Sequence, residues 1–502
     1  MGLLHSTAFI EYVEGSGNDI EVEKKVNSAR LLAMPVMLST PDQVFLTSLN
    51  YYGSDKVVSV YPESAIVVDE IQTYTPEMAA VFLKTLQLIK EAGGKVLVIT
   101  ATLPPHIKDF LEKEGFEIVD VLEEARKHGL NVKNLHLKRH CVKLVEGGLF
   151  SYSEEGVSFD GFQKVPKYIG EFEKNGFRSV LIVLNNVKKA VKAYEELSKK
   201  PNGWSVHLLH SRLPEKRKSE VIFELKSRLN AGKRVVLVAT QVVEASVDLD
   251  FDALITEISP IDSQVQRWGR VYRNRDTDYT MNSPNIIVFS GVDRGTGAIY
   301  GHGIGREVLQ KTAEIIKSLE GKILNYEAER NAIKDVYSGR ILDEYRRQIK
   351  ELLGKLDYFT LEKKTEAQRV FRQMSGIYFV IPQLMVWYGK KYGDETAKVF
   401  GEILLESCNW TKSWVEIQEL ISEKLNGQKL KKWELKKLLQ EFSVSVPVWT
   451  VLKNAHLLNA IKGRSFKGFP VLRNLDEKQL EILWEYGIDT VFGEDMDAED
   501  IL

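Results

Sequence analysis

The sequence predicts an α/β protein with two successive domains built on mostly parallel sheets, followed by helices and a small C-terminal domain. Short β-branched runs alternate with amphipathic stretches, which is typical of strands joined by crossover helices. The runs Ser179–Leu184 and Arg234–Ala239 are almost wholly apolar, as expected for strands buried on both faces. Polar residues follow several of these runs directly, where open α/β sheets bind their ligands.

The first domain is predicted from two such runs, Ala65–Val68 and Val96–Thr100, separated by a helix over Pro76–Ala92. The second domain repeats the pattern more clearly, with predicted helices over Val187–Lys199 and Pro214–Leu229. Its predicted strands are Ser179–Leu184, Ser205–Leu209, Arg234–Ala239, Ala253–Glu257 and Asn285–Phe289.

The chain of 502 residues is long enough for about three domains. We predict a first, partial lobe over 1–145, a second lobe over 146–295, a helical linker over 296–425 and a C-terminal accessory domain over 426–502. The last segment mixes helices with the apolar run Phe442–Trp449.

Composition and charge exclude several classes of protein. The formal net charge is −2, so nucleic-acid binding requires a local basic groove rather than a global positive field. The two cysteines, Cys141 and Cys408, lie far apart, which excludes a zinc CxxC pattern and favours a reducing cytoplasm. No run of about 18 apolar residues occurs, so we predict no membrane span and a cytoplasmic location.

The acid pair Asp69 and Glu70 directly follows a predicted buried strand. One carboxylate at such a position can hold Mg²⁺ while the other polarises a water molecule. A strand-to-helix turn with a capping aspartate would give the same pattern. Thr100 and Thr102 end the next strand, and their hydroxyls are predicted to lie beside the acid pair. Turn-forming threonines are the alternative for these two residues.

The stretch Gln264–Arg273 contains three arginines, Arg267, Arg270 and Arg273, spaced so that they approach one helix face. Planar guanidinium groups suit the oxygens of a transferring phosphoryl group. We expect Gln266 to contact phosphate or a carboxylate and Gly269 to allow close approach of the other lobe. A solvated basic face is the alternative.

Further polar residues lie at strand ends, in positions that suit a track for a nucleic-acid strand. Asp248 follows small residues and could bind a ribose hydroxyl or hold one of the arginines, and each of the others could contact a phosphate. Taken singly, each is more often a turn residue than a ligand. These others are Thr40, Asn185, His210, Ser211, Arg212, Thr240 and Gln241.

The motifs stand in a recognisable order: DEIQ, TAT, LNN, HSR, ATQVVEASVD and QVQRWGRVYR. This series resembles the motif set of superfamily 2 helicases, and more narrowly the CRISPR-associated helicase of type I interference systems. The resemblance covers about residues 1–290 and extends more loosely to the helices and C-terminal segment. It implies two RecA-like lobes, the first N-terminally incomplete, with ATP and magnesium as cofactors.

The resemblance also implies roles for individual residues. Asp69 would ligate magnesium, Glu70 would position the attacking water, and Gln72 would couple the nucleotide site to the other lobe. Arg267 and Arg270 would be arginine fingers. Asp248, Gln266, Gly269 and Arg273 would belong to the nucleotide site, and the strand track or its coupling would use Thr40, Thr100, Thr102, Asn185, His210, Ser211, Arg212, Thr240 and Gln241.

The sequence departs from the family pattern in three ways. It has Gln72 where relatives commonly carry histidine. We expect this difference to be tolerated, because the glutamine amide can also form hydrogen bonds. It contains no GxxxxGK[ST] phosphate-binding loop, so we expect that loop to come from a missing segment or another polypeptide. No histidine is followed by aspartate, so we expect the HD-type nuclease to be a separate partner.

The resemblance therefore implies an ATP-dependent translocase of single-stranded DNA. It would act with an RNA-guided surveillance complex of CRISPR interference and pass the displaced strand to a nuclease. Two alternatives stay open at this stage. One is another superfamily 2 helicase, acting on RNA or in repair, and the other is a docking module that binds DNA and partners without hydrolysing ATP.

Overall fold

The computed structural model describes residues 1–4, 12, 19–71, 76–130, 136–153, 156–158, 161–199, 203–245, 248–281, 283–358, 360–372, 376–447, 465–472 and 475–491. Within these ranges, no helix is both long enough and apolar enough to cross a membrane.

Within the described residues, the first lobe contains two short parallel sheets of two strands each, together with helices. Its strands are Gly2–Leu4 (β1), Met37–Ser39 (β2), Ala65–Asp69 (β3) and Lys95–Ile99 (β4). Its helices are Asp19–Arg30 (α1), Pro41–Val44 (α2), Asp55–Val58 (α3), Pro76–Glu91 (α4), Pro105–Lys113 (α5) and Val121–Lys127 (α6).

Strands β3 and β4 pair in parallel, with Asp69 opposite Ile99. Val68 on one face is buried against α4. Side chains on the opposite face stay largely exposed, with Val67 at 61% and Leu97 at 56%. The described residues therefore cover this sheet on one face only.

The second lobe is the α/β domain that the alternating pattern predicts. Its strands are His140–Val145 (β5), Ser151–Ser153 (β6), Gly156–Ser158 (β7), Ser179–Val183 (β8), Ser205–Leu209 (β9), Val235–Ala239 (β10), Ala253–Glu257 (β11), Ile286–Phe289 (β12) and Ile323–Leu324 (β13). Its helices are Val165–Lys174 (α7), Val187–Lys199 (α8), Glu215–Asn230 (α9), Val242–Ala245 (α10), Ile261–Trp268 (α11), Arg294–Tyr300 (α12), Gly305–Leu319 (α13) and Tyr326–Val336 (α14).

Among the described residues, seven of these strands form one sheet in the order β13-β5-β12-β11-β8-β10-β9, and β13 alone is antiparallel to its neighbour. The strands β8, β10 and β11 are buried along their whole length. Alternate side chains enter opposite cores: Leu181 and Val183 pack on one face, Val180 and Ile182 on the other. These observations confirm the predicted α/β fold class.

Strand β5 ends just before residue 146, where the sequence places the start of the second lobe, yet it pairs with β12 in that lobe's sheet. The helices after residue 296 also divide between the lobes. The apolar faces of α13 and α14 join the core of the second lobe. Helix α15, Gly339–Leu356, packs with Ile341 in the core of the second lobe and with Ile349 in the core of the first. Helix α16, Lys364–Arg372, packs against the first lobe.

A third unit follows. It contains strands Gly376–Val380 (β14), Ser443–Pro447 (β15), Ser465–Phe466 (β16) and Phe469–Pro470 (β17), and helices Pro382–Tyr392 (α17), Glu395–Leu405 (α18), Trp414–Lys424 (α19), Lys432–Glu441 (α20), Glu477–Tyr486 (α21) and Ile488–Val491 (α22). Its core runs from Phe379 to Ile488 and includes side chains on both sides of the predicted boundary at 425.

The third unit docks on α9 of the second lobe. The Arg217 guanidinium lies 6.0 Å from the ring centroid of Trp484 and 3.6 Å from the Glu485 carboxylate. The Tyr388 hydroxyl donates to Glu220 at 2.7 Å. Cation–π and ion-pair contacts of this kind leave the interface partly polar.

Lys189 on α8 has a fully buried side chain whose Nζ lies 2.6 Å from Glu257 and 2.6 Å from Asp293. We expect Lys189→Met to lower the free energy of unfolding by about 3–5 kcal/mol, because it leaves two buried carboxylates without their cation. Urea unfolding followed by circular dichroism measures this. The matched control, Lys192→Met, removes only a partly exposed ion pair and should cost under about 1 kcal/mol. Equal losses in the two variants would contradict the prediction.

His106 on α5 is buried and stacks on Tyr345 of α15 at 4.8 Å, and burial lowers the pKa of His106 from 6.5 to about 4. The unfolded chain therefore takes up this proton first, so stability is lost as pH falls from 6.5 towards 4. We expect His106→Phe to remove about 3 kcal/mol of the acid destabilisation between pH 7 and pH 4. Urea titrations at the two pH values test it. The exposed His128→Phe is the control, and an unchanged pH dependence in His106→Phe would refute the prediction.

Candidate functional site between the two lobes

The acid pair lies where the sequence predicts it, at the carboxyl end of β3. Both side chains are exposed. The Glu70 backbone N–H donates to the Ile99 carbonyl at 3.2 Å, which extends the β3–β4 pairing by one residue. Glu70 then adopts a left-handed conformation with φ of 60°, which costs a non-glycine residue about 1–2 kcal/mol. Such strain is typical of residues held in place for a function.

The threonines after β4 lie next to the acid pair because β3 and β4 are neighbours. The Thr100 hydroxyl donates to the Thr102 carbonyl at 2.6 Å, and Thr102 is buried. The carbonyl between them, that of Ala101, accepts a hydrogen bond from the Tyr326 hydroxyl of α14. Gln72, predicted to couple this site to the other lobe, lies outside the described residues.

Arg267 is buried in the second lobe, where all five of its N–H donors have partners. Nε donates to Glu244 at 2.7 Å. The two terminal nitrogens donate to the Thr256 hydroxyl, the Glu257 carbonyl, the Asn185 side chain and the Tyr300 hydroxyl at 2.8–3.3 Å. Although burial alone would lower it, the Glu244 carboxylate keeps the pKa of Arg267 above its ordinary value.

Arg270 is half-buried and binds the end of the short helix α10. Its Nε donates to the Val243 carbonyl at 2.9 Å and its Nη2 to the Glu244 carbonyl at 2.5 Å. These carbonyls lie at a helix C-terminus, which attracts cations. Burial and the neighbouring Arg273 lower the pKa of Arg270, whereas the carboxylates of Asp248, Glu70 and Glu244 act in the opposite direction. Glu70 of the first lobe thus lies close enough to act electrostatically on Arg270 of the second.

Arg273 lies at the rim of the same region. Its guanidinium lies 3.0 Å from Asp248, and its backbone N–H donates to Asp250 at 2.9 Å. Tyr272 before it is left-handed, with φ of 55°. Of the two roles that the sequence allows for Asp248, the geometry shows the contact with an arginine.

The three arginines do not share one helix face, so that expectation is wrong. Helix α11 ends at Trp268, and the chain turns at Gly269 and again at Tyr272. Arg267 therefore points into the lobe while Arg270 and Arg273 lie beyond the helix. Gln266 is half-buried. A methyl group on Gly269 would meet only carbonyl oxygens of its own helix, 3.4 Å away, within the described structure, so no approach of the first lobe explains this glycine.

The residues predicted for a strand track fall into two groups. Asn185, Thr240 and Gln241 follow β8 and β10 at one sheet edge, but their polar atoms bond mainly within the lobe. The Asn185 amide donates to the Ile258 carbonyl and to Thr296, and Gln241 donates to the Asn185 carbonyl at 2.8 Å. Asn185 is a core residue at 1% exposure.

The second group, His210 to Arg212, meets the third unit. His210 is fully buried. Arg212 lies 3.5 Å from Asp489, and its carbonyl accepts from the Ile488 N–H at 3.1 Å. Of this group, only Ser211 has an exposed side chain. Thr40 in the first lobe is half-buried and precedes α2 without a side-chain capping bond.

Comparisons with known proteins show what this architecture resembles. A family described as CRISPR-associated nuclease/helicase Cas3, C-terminal, matches residues 177–276. The CRISPR-associated nuclease/helicase Cas3 of Methanothermobacter thermautotrophicus is 45% identical over 499 residues, covering 98% of this chain and 57% of that protein. These matches confirm the resemblance to the helicase part of Cas3 proteins. The CRISPR-associated endonuclease/helicase Cas3 of Escherichia coli is 26% identical over 369 residues, covering 66% of this chain and 40% of that protein.

Solved Cas3 structures share the fold. The crystal structure of T. fusca Cas3-ATP matches with a TM-score of 0.61 and 20% identity, covering 76% of this chain and 49% of that one. A chain of a CRISPR RNA-guided surveillance complex, pre-nicking, matches with a TM-score of 0.57 and 18% identity, covering 76% of this chain and 52% of that one. This chain thus spans about half the length of the Cas3 proteins it matches.

Several residues around the site of this chain escaped the sequence reasoning. Glu244 holds Arg267 through its carboxylate and Arg270 through its carbonyl. Its position within the motif VVEASVD was a usable signal. Tyr300 accepts from Arg267 and Gln241, and burial raises its pKa to about 12. No pattern in the sequence pointed to Tyr300, which lies far from the other motifs along the chain.

The arrangement suits a phosphate-bearing ligand with a hard cation. Exposed carboxylates such as Asp69 and Glu70 are the oxygen ligands that Mg²⁺ prefers, and one or two of them suffice when phosphates complete the shell. Within the described residues, no group of three potential metal ligands occurs, so the protein alone offers no closed metal cage. The guanidinium groups of Arg270 and Arg273 in the second lobe would attract anions.

We expect Arg267→Met to lower the free energy of unfolding by about 3–5 kcal/mol, since it removes the buried cation that pairs with the half-buried Glu244 carboxylate. The matched control is Arg273→Met, which loses an exposed pair and should cost under about 1 kcal/mol. Urea unfolding of both variants measures these two losses in the free energy of unfolding. Wild-type stability in Arg267→Met would refute the structural role that its buried contacts indicate.

Proposed function

We propose that this chain is the motor part of an ATP-dependent single-stranded DNA translocase of type I CRISPR interference, and that it feeds the displaced target strand to a nuclease. The observation that carries the proposal is the 45% identity to a CRISPR-associated nuclease/helicase Cas3 over 98% of this chain. The position of Asp69 and Glu70 at the carboxyl end of β3 supports the same function, and the Glu70 carboxylate acts electrostatically on Arg270 of the second lobe.

The residues divide the chemistry between the lobes. ATP with Mg²⁺, when bound, supplies the phosphoanhydride bond to be broken. In the first lobe Asp69 holds the cation and Glu70 orients the attacking water. In the second lobe Arg270 and Arg273 stabilise the negative charge that develops on the transferred phosphoryl group. Arg267 takes no part as a finger in this proposal, because its donors are all used inside the lobe.

Hydrolysis in this scheme requires the lobes to close. Arg270 and Arg273 sit beyond the end of α11, where Asp250 accepts from the Arg273 backbone N–H and Asp248 accepts from the Arg273 guanidinium. Closing the cleft brings them towards Glu70 and removes water, which strengthens each electrostatic contact. The supply of a phosphate-binding loop by another segment stays a prediction from the sequence.

The partners are proposed on family grounds. The matched proteins include one described as Cas3-ATP and one described as part of a surveillance complex, which supports a nucleotide and an RNA-guided complex as partners here. Single-stranded DNA and a separate HD-type nuclease complete the proposal. Ser211, exposed at the carboxyl end of β9, is the member of its motif that is best placed to meet a strand.

A non-hydrolysing docking module is the second candidate, and the observation that favours it is the lack of GxxxxGK[ST] in this sequence. ATP hydrolysis by the 502-residue chain, measured with and without single-stranded DNA, separates the two. Robust turnover excludes the docking module and also the prediction that the phosphate-binding loop lies elsewhere. Stronger stimulation by RNA than by DNA would favour another superfamily 2 helicase.

In the intact motor, meaning this chain with any polypeptide that copurifies with it, we expect Arg270→Ala to reduce ATP turnover by at least about a hundredfold. Binding of single-stranded DNA, measured by fluorescence anisotropy, should change little. The control is Arg340→Ala, which removes an exposed arginine outside the cleft. Turnover retained in Arg270→Ala contradicts its assignment as a finger, and a motor without DNA-stimulated turnover contradicts the proposed function.

A further inference from the structure

Helix α14 touches functional segments of both lobes. At its N-terminal end, the Tyr326 hydroxyl donates to the Ala101 carbonyl, between the two threonines that follow β4. One turn later, Arg330 forms an ion pair of 2.5 Å with Asp120 at the start of α6. Both contacts reach the first lobe, so α14 meets that lobe beside the acid pair.

The middle of α14 reaches the arginines of the second lobe through one buried histidine. Glu329 is buried, and its carboxylate lies 2.5 Å from Nδ1 of His140. The other ring nitrogen, Nε2, lies 2.9 Å from the Val271 carbonyl. Val271 stands between Arg270 and Arg273, so this chain of hydrogen bonds ends on the backbone that carries both.

The C-terminal end of α14 contacts α11, the helix that precedes Arg270 and Arg273. Tyr337, which ends the helix, donates from its hydroxyl to Asp262 at 2.6 Å. Asp262 lies in the first turn of α11, the helix that leads into the arginines. The Tyr337 ring also lies 5.8 Å from His106 of the first lobe. Residues Arg267–Arg273 are called the arginine segment below. Helix α14 is thus linked to this segment at Val271, through His140, and to the start of the helix that leads into it at Asp262.

The two sets of contacts differ in strength. Ala332, Ile333 and Val336 on one face of α14 are buried in the core of the second lobe, so the helix moves with that lobe. Apart from the buried ring contact of Tyr337 with His106, its contacts with the first lobe are polar and partly exposed, including the ion pair of Glu327 with Arg126. Exposed ion pairs contribute only about 0–1 kcal/mol each, so they can break and form again as the lobes move.

We propose that α14 is a positioning helix that sets the arginine segment against the acid pair, with Glu329, acting through His140, and Tyr337 as positioning residues. The inference rests on the proposed ATP hydrolysis and adds to it the element that couples the lobes. None of these residues touches the reacting atoms. They hold the Val271 carbonyl and the Asp262 carboxylate in place. The contacts at the N-terminal end of α14 make that position depend on where the first lobe lies.

The first test compares single-atom changes in the intact motor. Tyr337→Phe removes one hydroxyl, and Tyr326→Phe removes the contact with Ala101 at a half-buried position where loss of the fold is not expected. We expect each to lower kcat for ATP on the order of tenfold to a hundredfold, with KM for ATP within about twofold, because the arginines act in the transition state. Lys334→Gln, exposed on the same helix, should match wild type.

The second test measures the separation of the lobes without any activity. Spin labels are placed by Lys113→Cys and Lys226→Cys, both exposed and in different lobes, with the exposed Cys408→Ser to remove background labelling. We expect the distance distribution to become broader or to shift in Tyr326→Phe and Tyr337→Phe, and to stay unchanged in Lys334→Gln.

A third comparison tests the contact with His140. Glu329→Gln should leave kcat nearer to the wild-type value than Glu329→Ala, because the glutamine side chain still accepts a hydrogen bond from His140.

The outcomes separate the two proposals. If the wild-type motor hydrolyses no ATP, the proposed function fails, while the distance measurement still tests the positioning helix. Wild-type kcat together with a wild-type distance distribution in both tyrosine variants overturns the role of α14. If kcat falls as far in Lys334→Gln as in the tyrosine variants, the role of α14 is also overturned, since the Lys334 side chain is exposed to solvent.

Discussion

The buried guanidinium of Arg267 is the interaction on which the second lobe depends. It joins the end of β8 through Asn185, the end of β11 through Thr256, and the helix α10 through Glu244. A charge taken out of water costs several kcal/mol unless its donors are satisfied, so these elements must keep their relative positions. The rigidity that results fixes where α11 ends and therefore where Arg270 and Arg273 emerge.

The second lobe is held by buried contacts, whereas the contacts of α14 with the first lobe are mostly polar. Glu70 is held in a strained left-handed conformation on one side of the cleft, and Tyr272 is held likewise on the other. Each is set by its own lobe, so neither depends on closure for its local geometry. A cleft whose two sides are preorganised separately suits chemistry that proceeds only when the sides meet.

Sequence reasoning located the strands and the edge that bears the candidate site, because alternation of apolar runs with helices constrains a parallel sheet strongly. It erred on side-chain direction. Arg267 and Asn185 sit among motif residues yet point inwards, and His210 lies beneath the third unit. A motif shows that residues are needed at a spacing, but burial depends on which neighbours pack over them. The same limit applies to the helices after residue 296, whose apolar stripes do not say which lobe they cover.

The sequence by itself determined the α/β class, the place of Asp69 and Glu70 at a strand end, and the family resemblance that comparison then upheld. Local patterns carry this information because strand period and motif order are properties of the chain. Only the tertiary structure decided which arginines remain available, which hydroxyls are already bonded, and that α14 lies against both lobes. The place of α14 arises from contacts between residues more than a hundred positions apart, such as His140 with Glu329. The burial of Arg267 arises from contacts such as those with Glu244 and Asn185, which are 23 and 82 positions away. Packing alone brings such residues together.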